Sequence, residues 1–120
     1  MIKQIATVAV YVENQQNSLR FWTEQVGFEV FRNQPMGPQG NWIEVGPPNA
    51  ASHLVIYPRS MMANWQELKP SIVFECEDIH KTCETLKANG VKFVQEPNEM
   101  PWGTYAVFED IDGHQFVLKG

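Results

Sequence analysis

Apolar and polar positions follow the same order twice along the chain, over residues 6–30 and 70–94. Each copy runs from an apolar strand through an acidic or amide pair into an amphipathic helix, and then through a glycine into a second apolar run. The offset between copies is 64 residues for Val12 with Cys76. Because a unit of about 60 residues buries too little apolar surface to be stable alone, we expect the two copies to share a core.

Short apolar runs predict four strands in each copy. The first copy has predicted strands at 5–12, 28–31, 42–45 and 53–57, and the second copy has them at 71–76, 91–94, 105–108 and 115–118. Segments rich in proline and glycine predict loops at 33–41 and 96–104. The predicted order is therefore βαβββ twice, an α+β arrangement in which each helix covers one face of its sheet and leaves the other face free.

A helix is predicted after the first strand of each copy. Asn14 and Asp78 are suited to cap these helices, because their side chains can accept a hydrogen bond from a free N–H of the first turn. Helical spacing predicts buried stripes of Leu19, Trp22 and Val26 on the first helix, and of Ile79, Cys83 and Leu86 on the second. We expect a single domain over 1–120, with modules at about 1–58 and 70–120 and a linker at about 59–69.

Alternation along the strands also predicts which residues lie on the free faces. An aromatic and aliphatic wall with a few hydroxyl groups is typical of a small-molecule pocket, although ordinary core packing gives the same pattern. The tryptophan and methionine side chains of the loops would equally suit a dimer interface. The predicted ligand-binding residues are Thr7, Trp42, Leu54, Ser71, Met100, Trp102, Tyr105, Val107 and Val117.

Three carboxylates, Glu44, Glu75 and Glu109, fall on the same predicted faces and are the candidate catalytic residues. Each would serve as a general acid or base if burial raised its pKa. The alternative is that these strand carboxylates lie in solvent at the rim, as charged side chains usually do.

The net charge of −5 and the pI near 5.1 argue against nucleic acid or an anionic membrane as the main partner. No apolar run reaches the length of a transmembrane helix, and the N-terminal residues do not resemble a signal peptide. The two cysteines lack a metal-binding or disulfide spacing and are expected to be reduced thiols. We therefore expect a cytoplasmic protein.

The pair Phe21-Trp22 followed by 26–28, VGF, and the segment 108–114, FEDIDGH, resemble signatures of the vicinal-oxygen-chelate superfamily. This group includes glyoxalase I, extradiol dioxygenases, fosfomycin-resistance transferases and bleomycin-resistance binding proteins. The resemblance covers essentially the whole chain, with Trp22, Ile111 and His114 departing from the usual residues. It implies two βαβββ modules that form a cupped, eight-stranded mixed sheet, and a homodimer.

The resemblance also implies a divalent metal held by His, Glu or Gln at equivalent strand positions of the two modules. These positions fall here on Thr7, Leu54, Ser71 and Val117. Leu and Val cannot coordinate a metal, and hydroxyl groups are weak neutral ligands beside carboxylate or imidazole. We therefore expect no metal and no other cofactor, although a shift of one residue in the fourth strand would bring His53 into the place of Leu54.

Three hypotheses of function follow from these observations. The first is a metal-free protein that binds a small apolar or aromatic molecule, as the resemblance to the bleomycin-resistance members implies. The second is a metal-dependent lyase, isomerase or dioxygenase of the same superfamily with an atypical site. The third is a dimerisation or partner-binding module. Because this fold supports many chemistries, the residues and geometry of the site are needed to distinguish the three hypotheses.

Overall fold

The computed structural model describes Met1 and residues 4–120. The described chain divides into two compact units, Met1–Pro70 and Ser71–Gly120. Each unit contains a four-stranded mixed sheet and a helix that follows its first strand. The predicted α+β class with two βαβββ modules is confirmed. No helix among the described residues is long and apolar enough to cross a membrane.

The first unit places its strands in the order β1-β4-β3-β2. Strand β1 is parallel to β4, whereas β4 with β3 and β3 with β2 are antiparallel. Helix α1 continues directly into a π-helix over Phe21–Val26. The elements of this unit are β1 (Thr7–Val12), α1 (Gln15–Arg20), β2 (Glu29–Pro35), β3 (Asn41–Gly46) and β4 (His53–Pro58).

Asn14 caps α1 as predicted, because its Oδ1 accepts a 2.9 Å hydrogen bond from the backbone N–H of Asn17. The predicted buried stripe is only partly right, since Leu19 and Val26 are half-buried. The wider turns of the π-helix rotate the side chains away from the α-helical period. The residues that are buried along this segment are Ser18, Phe21 and Trp22.

Backbone pairing defines the two faces of the first sheet. Val10 pairs with Ile56 and Ile56 pairs with Ile43, and laterally paired residues point to the same side of a sheet. This side, which we call the helix face, is buried at its centre, although Val8 and Val30 on the same side are exposed. Its buried residues are Val10, Val12, Ile43, Val45, Leu54 and Ile56. The opposite side, the free face, carries Thr7, Ala9, Tyr11, Arg32, Gln34, Trp42, Glu44, His53, Val55 and Tyr57.

The second unit repeats this plan with the strand order β5-β8-β7-β6. Asp78 caps its helix by accepting a 3.2 Å hydrogen bond from the N–H of Lys81. The predicted stripe of Ile79, Cys83 and Leu86 is buried, which confirms it. The elements are β5 (Val73–Glu75), α2 (Ile79–Ala88), β6 (Lys92–Met100), β7 (Gly103–Glu109) and β8 (Gln115–Lys119).

Strand β6 is longer than its apolar run predicts. The segment 96–104, predicted as a loop, mostly belongs to a hairpin that turns at Pro101 and Trp102. Pro97 is accommodated by an irregularity in register between Gln95 and Asn98, because proline has no N–H to donate to the ladder. Proline and glycine therefore mark an irregular edge strand here as well as a turn.

Candidate functional site

Glu44 lies at the centre of a polar cluster on the free face of the first sheet. Its Oε2 accepts a 2.7 Å hydrogen bond from Nε1 of Trp42, two residues earlier on β3. Its Oε1 lies 3.1 Å from Nδ1 of His53 on the neighbouring strand β4. Alternation within β3 and the pairing with β4 thus bring an indole, a carboxylate and an imidazole together.

The pKa of Glu44 reflects opposing effects. Burial raises the pKa, but the hydrogen bonds from Trp42 and His53, together with the charges of His53 and Arg32, outweigh burial. The net result is a pKa below the ordinary value of 4.5. Glu44 is therefore ionised at neutral pH, and it lacks the raised pKa that the acid–base hypothesis required.

His53 is held on both edges and on one face of its ring. Its Nε2 lies 3.0 Å from the backbone oxygen of Ala50. The ring stacks on Phe31, with centroids 3.9 Å apart and an angle of 14° between the planes. Gly46 leaves room for this stack, because a Cβ there would lie only 3.2 Å from Cδ2 of His53. The ring orientation is thus set by three neighbours.

Aromatic rings continue across the free face beside this cluster. Trp42 meets Tyr57 edge to face with centroids 6.2 Å apart, and Tyr57 meets Tyr11 in the same way at 5.8 Å. Arg32 on the edge strand β2 lies beside them, with its guanidinium 3.8 Å from Oε2 of Glu44 and about half of the side chain (53%) exposed. The arrangement combines a preformed aromatic surface with one charged side chain at its edge.

Leu54 lies on the opposite face from the one predicted. Backbone pairing aligns it with Val8 and Val45, so that it belongs to the buried helix face. The residue equivalent to Val117 is Val55: Val117 pairs with Val73 and Val107, and Val55 pairs with Ala9 and Glu44, which lie 64 and 63 residues earlier in the first copy of the repeat. The register therefore differs by one residue from the predicted one, but it gives the place of Leu54 to Val55 and not to His53. Both His53 and Val55 lie on the free face.

This correction leaves the family's four metal-ligand positions without a suitable donor set. They become Thr7, Val55, Ser71 and Val117, which offer two hydroxyl groups and two hydrocarbons. His53 shares the free face with Thr7, but its two ring nitrogens lie within hydrogen-bond distance of Glu44 and Ala50. The donor chemistry does not fit a divalent ion of the kind that the superfamily holds.

Several predicted residues of the second unit share one face of its sheet. Val107 pairs with Val117, and Tyr105 lies two residues before Val107 on the same side of β7. Ser71 is exposed and precedes β5. Met100 and Trp102 are exposed near the tip of the β6–β7 hairpin.

The two remaining carboxylate candidates differ in their surroundings. Glu109 forms an ion pair with Lys92, with 3.3 Å between Nζ and Oε1. Glu75 is exposed, and it borders a cavity of about 360 Å³ that is also lined by Cys76, Glu77, Lys119 and Gly120.

A further cluster that the sequence did not predict lies in the β7–β8 turn and consists of Asp110, Asp112 and His114. Oδ1 of Asp110 accepts hydrogen bonds from the backbone N–H groups of Asp112 and His114, and Oδ2 lies 2.9 Å from Nδ1 of His114. The Asp-x-Asp-Gly-His pattern was available as a signal in the sequence. Because both oxygens of Asp110 serve the turn itself, we assign the cluster a structural role.

Comparison with known proteins agrees with the architecture. Residues 4–118 match the family described as the Glyoxalase/Bleomycin resistance protein/Dioxygenase superfamily. The chain belongs to this superfamily, and the earlier resemblance is thereby confirmed. A Bacillus subtilis (strain 168) protein described as uncharacterized protein YetH is 57% identical over 119 residues, which cover 99% of each chain.

Two crystal structures are similar over nearly their whole length. A superfamily member from Sphaerobacter thermophilus DSM 20745 superimposes with a TM-score of 0.88 at 28% identity, covering 98% of this chain and 97% of that one. TnmS3, described as an antibiotic binding protein from Streptomyces sp. CB03234, has a TM-score of 0.84 at 29% identity, with coverages of 98% and 95%.

Proposed function

We propose that the protein binds a small apolar or aromatic molecule, without a metal or other cofactor, and that the free face of the first sheet forms part of the site. The observation that carries this proposal is the row of Trp42, Tyr57 and Tyr11 beside the Glu44 cluster. The similarity to an antibiotic binding protein supports the same class of function.

The geometry supports binding because the aromatic surface is ordered before a ligand arrives. The hydrogen bond to Glu44 restricts rotation of the Trp42 indole, and the edge-to-face contacts restrict Tyr57. A flat ligand that stacks on such rings gains about 0.5–1.5 kcal/mol per ring pair beyond the area that it buries. Little side-chain entropy is lost on binding when the rings are already fixed.

The residues at the four family positions support binding without a metal, since none offers a carboxylate or an imidazole. We further expect Ser71, Met100, Trp102, Tyr105, Val107 and Val117 of the second unit to contribute to ligand binding. The modules at about 1–58 and 70–120, the homodimer and the cytoplasmic location remain predictions, and light scattering during size exclusion tests the dimer.

Tryptophan fluorescence tests the proposal. A panel of flat heteroaromatic compounds and antibiotics is titrated into the protein, and a saturable quench or spectral shift is expected with at least one of them. Trp42→Phe should remove most of this signal, whereas Trp65→Phe should retain it. Loss of the signal in Trp102→Phe instead would locate the ligand at the hairpin tip, and no response to any compound would contradict binding.

The alternative is a metal-dependent lyase, isomerase or dioxygenase with an atypical site. The exposed Glu75 beside the cavity of the second unit is the observation that favours it. Elemental analysis of freshly purified and dialysed protein tests this alternative. Stoichiometric Zn, Ni, Fe or Mn would favour the enzyme, and a metal content far below one ion per chain would favour the binding protein.

A further inference from the structure

The polar atoms at the centre of the free face are already engaged with one another. Oε2 of Glu44 accepts the Trp42 hydrogen bond, Oε1 faces His53, and the other His53 nitrogen faces the oxygen of Ala50. Only 13% of the Glu44 side chain is exposed. A ligand that formed hydrogen bonds to these atoms would have to break the existing ones. These polar groups therefore orient the aromatic side chains rather than bind a polar group of the ligand.

Arg32 differs from these residues in both distance and exposure. Its nearest guanidinium nitrogen lies 3.8 Å from Glu44 Oε2, which is beyond hydrogen-bond distance. The guanidinium has five N–H donors in a planar fork that matches the geometry of a carboxylate. With about half of its side chain in solvent, Arg32 can turn its donors toward a ligand while it remains beside the aromatic row.

The position of Arg32 relative to Trp42 follows from the strand pairing. Arg32 pairs with Glu44, and Gln34, two residues further on, pairs with Trp42. All four side chains therefore lie on the same face, within one cross-strand step of one another. A ligand ring that stacks beside Trp42 on the side of β2 would place its substituents near Arg32.

We propose that this surface selects aromatic ligands that carry an anionic oxygen, and that Arg32 binds that oxygen. This inference rests on the proposed function and adds the chemical class of the ligand. A carboxylate or a phenolate would accept charge-assisted hydrogen bonds from the guanidinium, while the ring stacks beside Trp42. A cationic ligand would face Arg32 and would reach Glu44 only by displacing Trp42 or His53.

The experiment compares three naphthalene derivatives of similar size by calorimetric titration: 2-naphthoate, its neutral methyl ester and 2-naphthylmethylammonium. We expect 2-naphthoate to bind about tenfold more tightly than the ester, and the ammonium compound to bind more weakly than the ester. A tenfold ratio corresponds to about 1.4 kcal/mol. Raising the salt concentration should reduce this preference because the guanidinium is partly exposed.

Two matched substitutions assign the effect. Arg32→Gln should abolish the preference for 2-naphthoate over the ester, and an unchanged circular dichroism spectrum and thermal transition would show that the variant remains folded. Arg20→Gln, which removes an exposed charge on α1, should preserve the preference. Survival of the preference in Arg32→Gln, or its equal loss in Arg20→Gln, would overturn the assignment.

The results also separate this inference from the proposed function. Equal binding of all three compounds would refute anion selection and would retain the binding function. Absence of binding by all three compounds and by the heteroaromatic panel would refute both.

Discussion

Trp42 and Glu44 lie two residues apart on β3, and the indole Nε1 donates a 2.7 Å hydrogen bond to the Glu44 carboxylate. Alternation places both side chains on the free face of the first sheet, and the hydrogen bond makes the ring orientation depend on the carboxylate. A charged group thus serves an aromatic surface by fixing one of its rings. The same carboxylate also faces His53 on β4. Substitutions on either β3 or β4 should therefore alter the orientation of the Trp42 ring.

Stability should depend on pH through Glu44. Because the pKa of Glu44 is lower in the folded protein than its ordinary value of 4.5, the ionised form stabilises the fold above that pH. This stabilisation is lost as the pH falls through the lowered folded pKa. The difference in free energy of unfolding between wild type and Glu44→Gln should therefore be largest at neutral pH and should shrink as the pH falls below 4.5.

Urea denaturation between pH 3 and pH 7 measures this difference. Glu24→Gln, on the exposed side of the π-helix, is the matched control for replacing a carboxylate by an amide. A difference for Glu44→Gln that stays constant over the whole range would contradict the role given to the ionised carboxylate.

Gln15 should stabilise the first unit by joining α1 to two strands. Its Nε2 donates 2.7 Å hydrogen bonds to the backbone oxygens of Asn41 and Ile56, and its Oε1 accepts one from the N–H of Asn41. Gln15→Ala would leave these part-buried backbone groups without that partner, and we expect a loss of about 2 kcal/mol. Urea denaturation measures this loss. Gln16→Ala, on the exposed side of the same turn, should lower the free energy of unfolding by less than about 0.5 kcal/mol. Equal effects of the two substitutions would refute the role of Gln15.

Gly46→Ala should disturb the stack of Phe31 on His53. The added Cβ would lie 3.2 Å from Cδ2 of His53, so that the His53 ring would have to shift by a few tenths of an ångström, whereas the 3.5 Å to Cε2 of Phe31 is an ordinary contact. Overpacking of this kind typically costs about 1–3 kcal/mol. If the cost arises from the His53 ring, Gly46→Ala should be less destabilising in a His53→Ala background. Additive effects in this double-mutant cycle would show that the loss of stability does not arise from the His53 ring.

The two cysteines should react at different rates with a disulfide reagent at about pH 8. Burial raises the pKa of Cys83, the neighbouring Cys76 raises it further, and Lys87 only partly opposes these effects. Less Cys83 is therefore present as the reactive thiolate, and its side chain is also shielded. The half-buried Cys76 should give the fast phase, which Cys76→Ser abolishes and Cys83→Ser retains. A fast phase that survives in Cys76→Ser would contradict this expectation.

Much of the architecture could be predicted because its signals are local. The duplicated pattern gave the βαβββ order, Asn14 and Asp78 were predicted as caps from their positions, and the α2 stripe followed helical spacing. Capping and amphipathic periodicity depend on a few neighbouring residues, so they survive in any tertiary context that keeps the helix. The Trp42 position on the free face followed from alternation in the same way.

Tertiary pairing decided the rest of the candidate site. The run Leu54-Val55-Ile56-Tyr57 is apolar on both sides, so alternation carries no information about which residues face the helix. Pairing with β1 and β3 resolves this ambiguity, moves Leu54 to the buried side and brings His53 to Glu44. The stack of Phe31 on His53 also needs the bulge between Val30 and Arg32. The sequence by itself determined the elements and their order, whereas the neighbours of the Glu44 carboxylate depend on strand register, which only long-range hydrogen bonding sets.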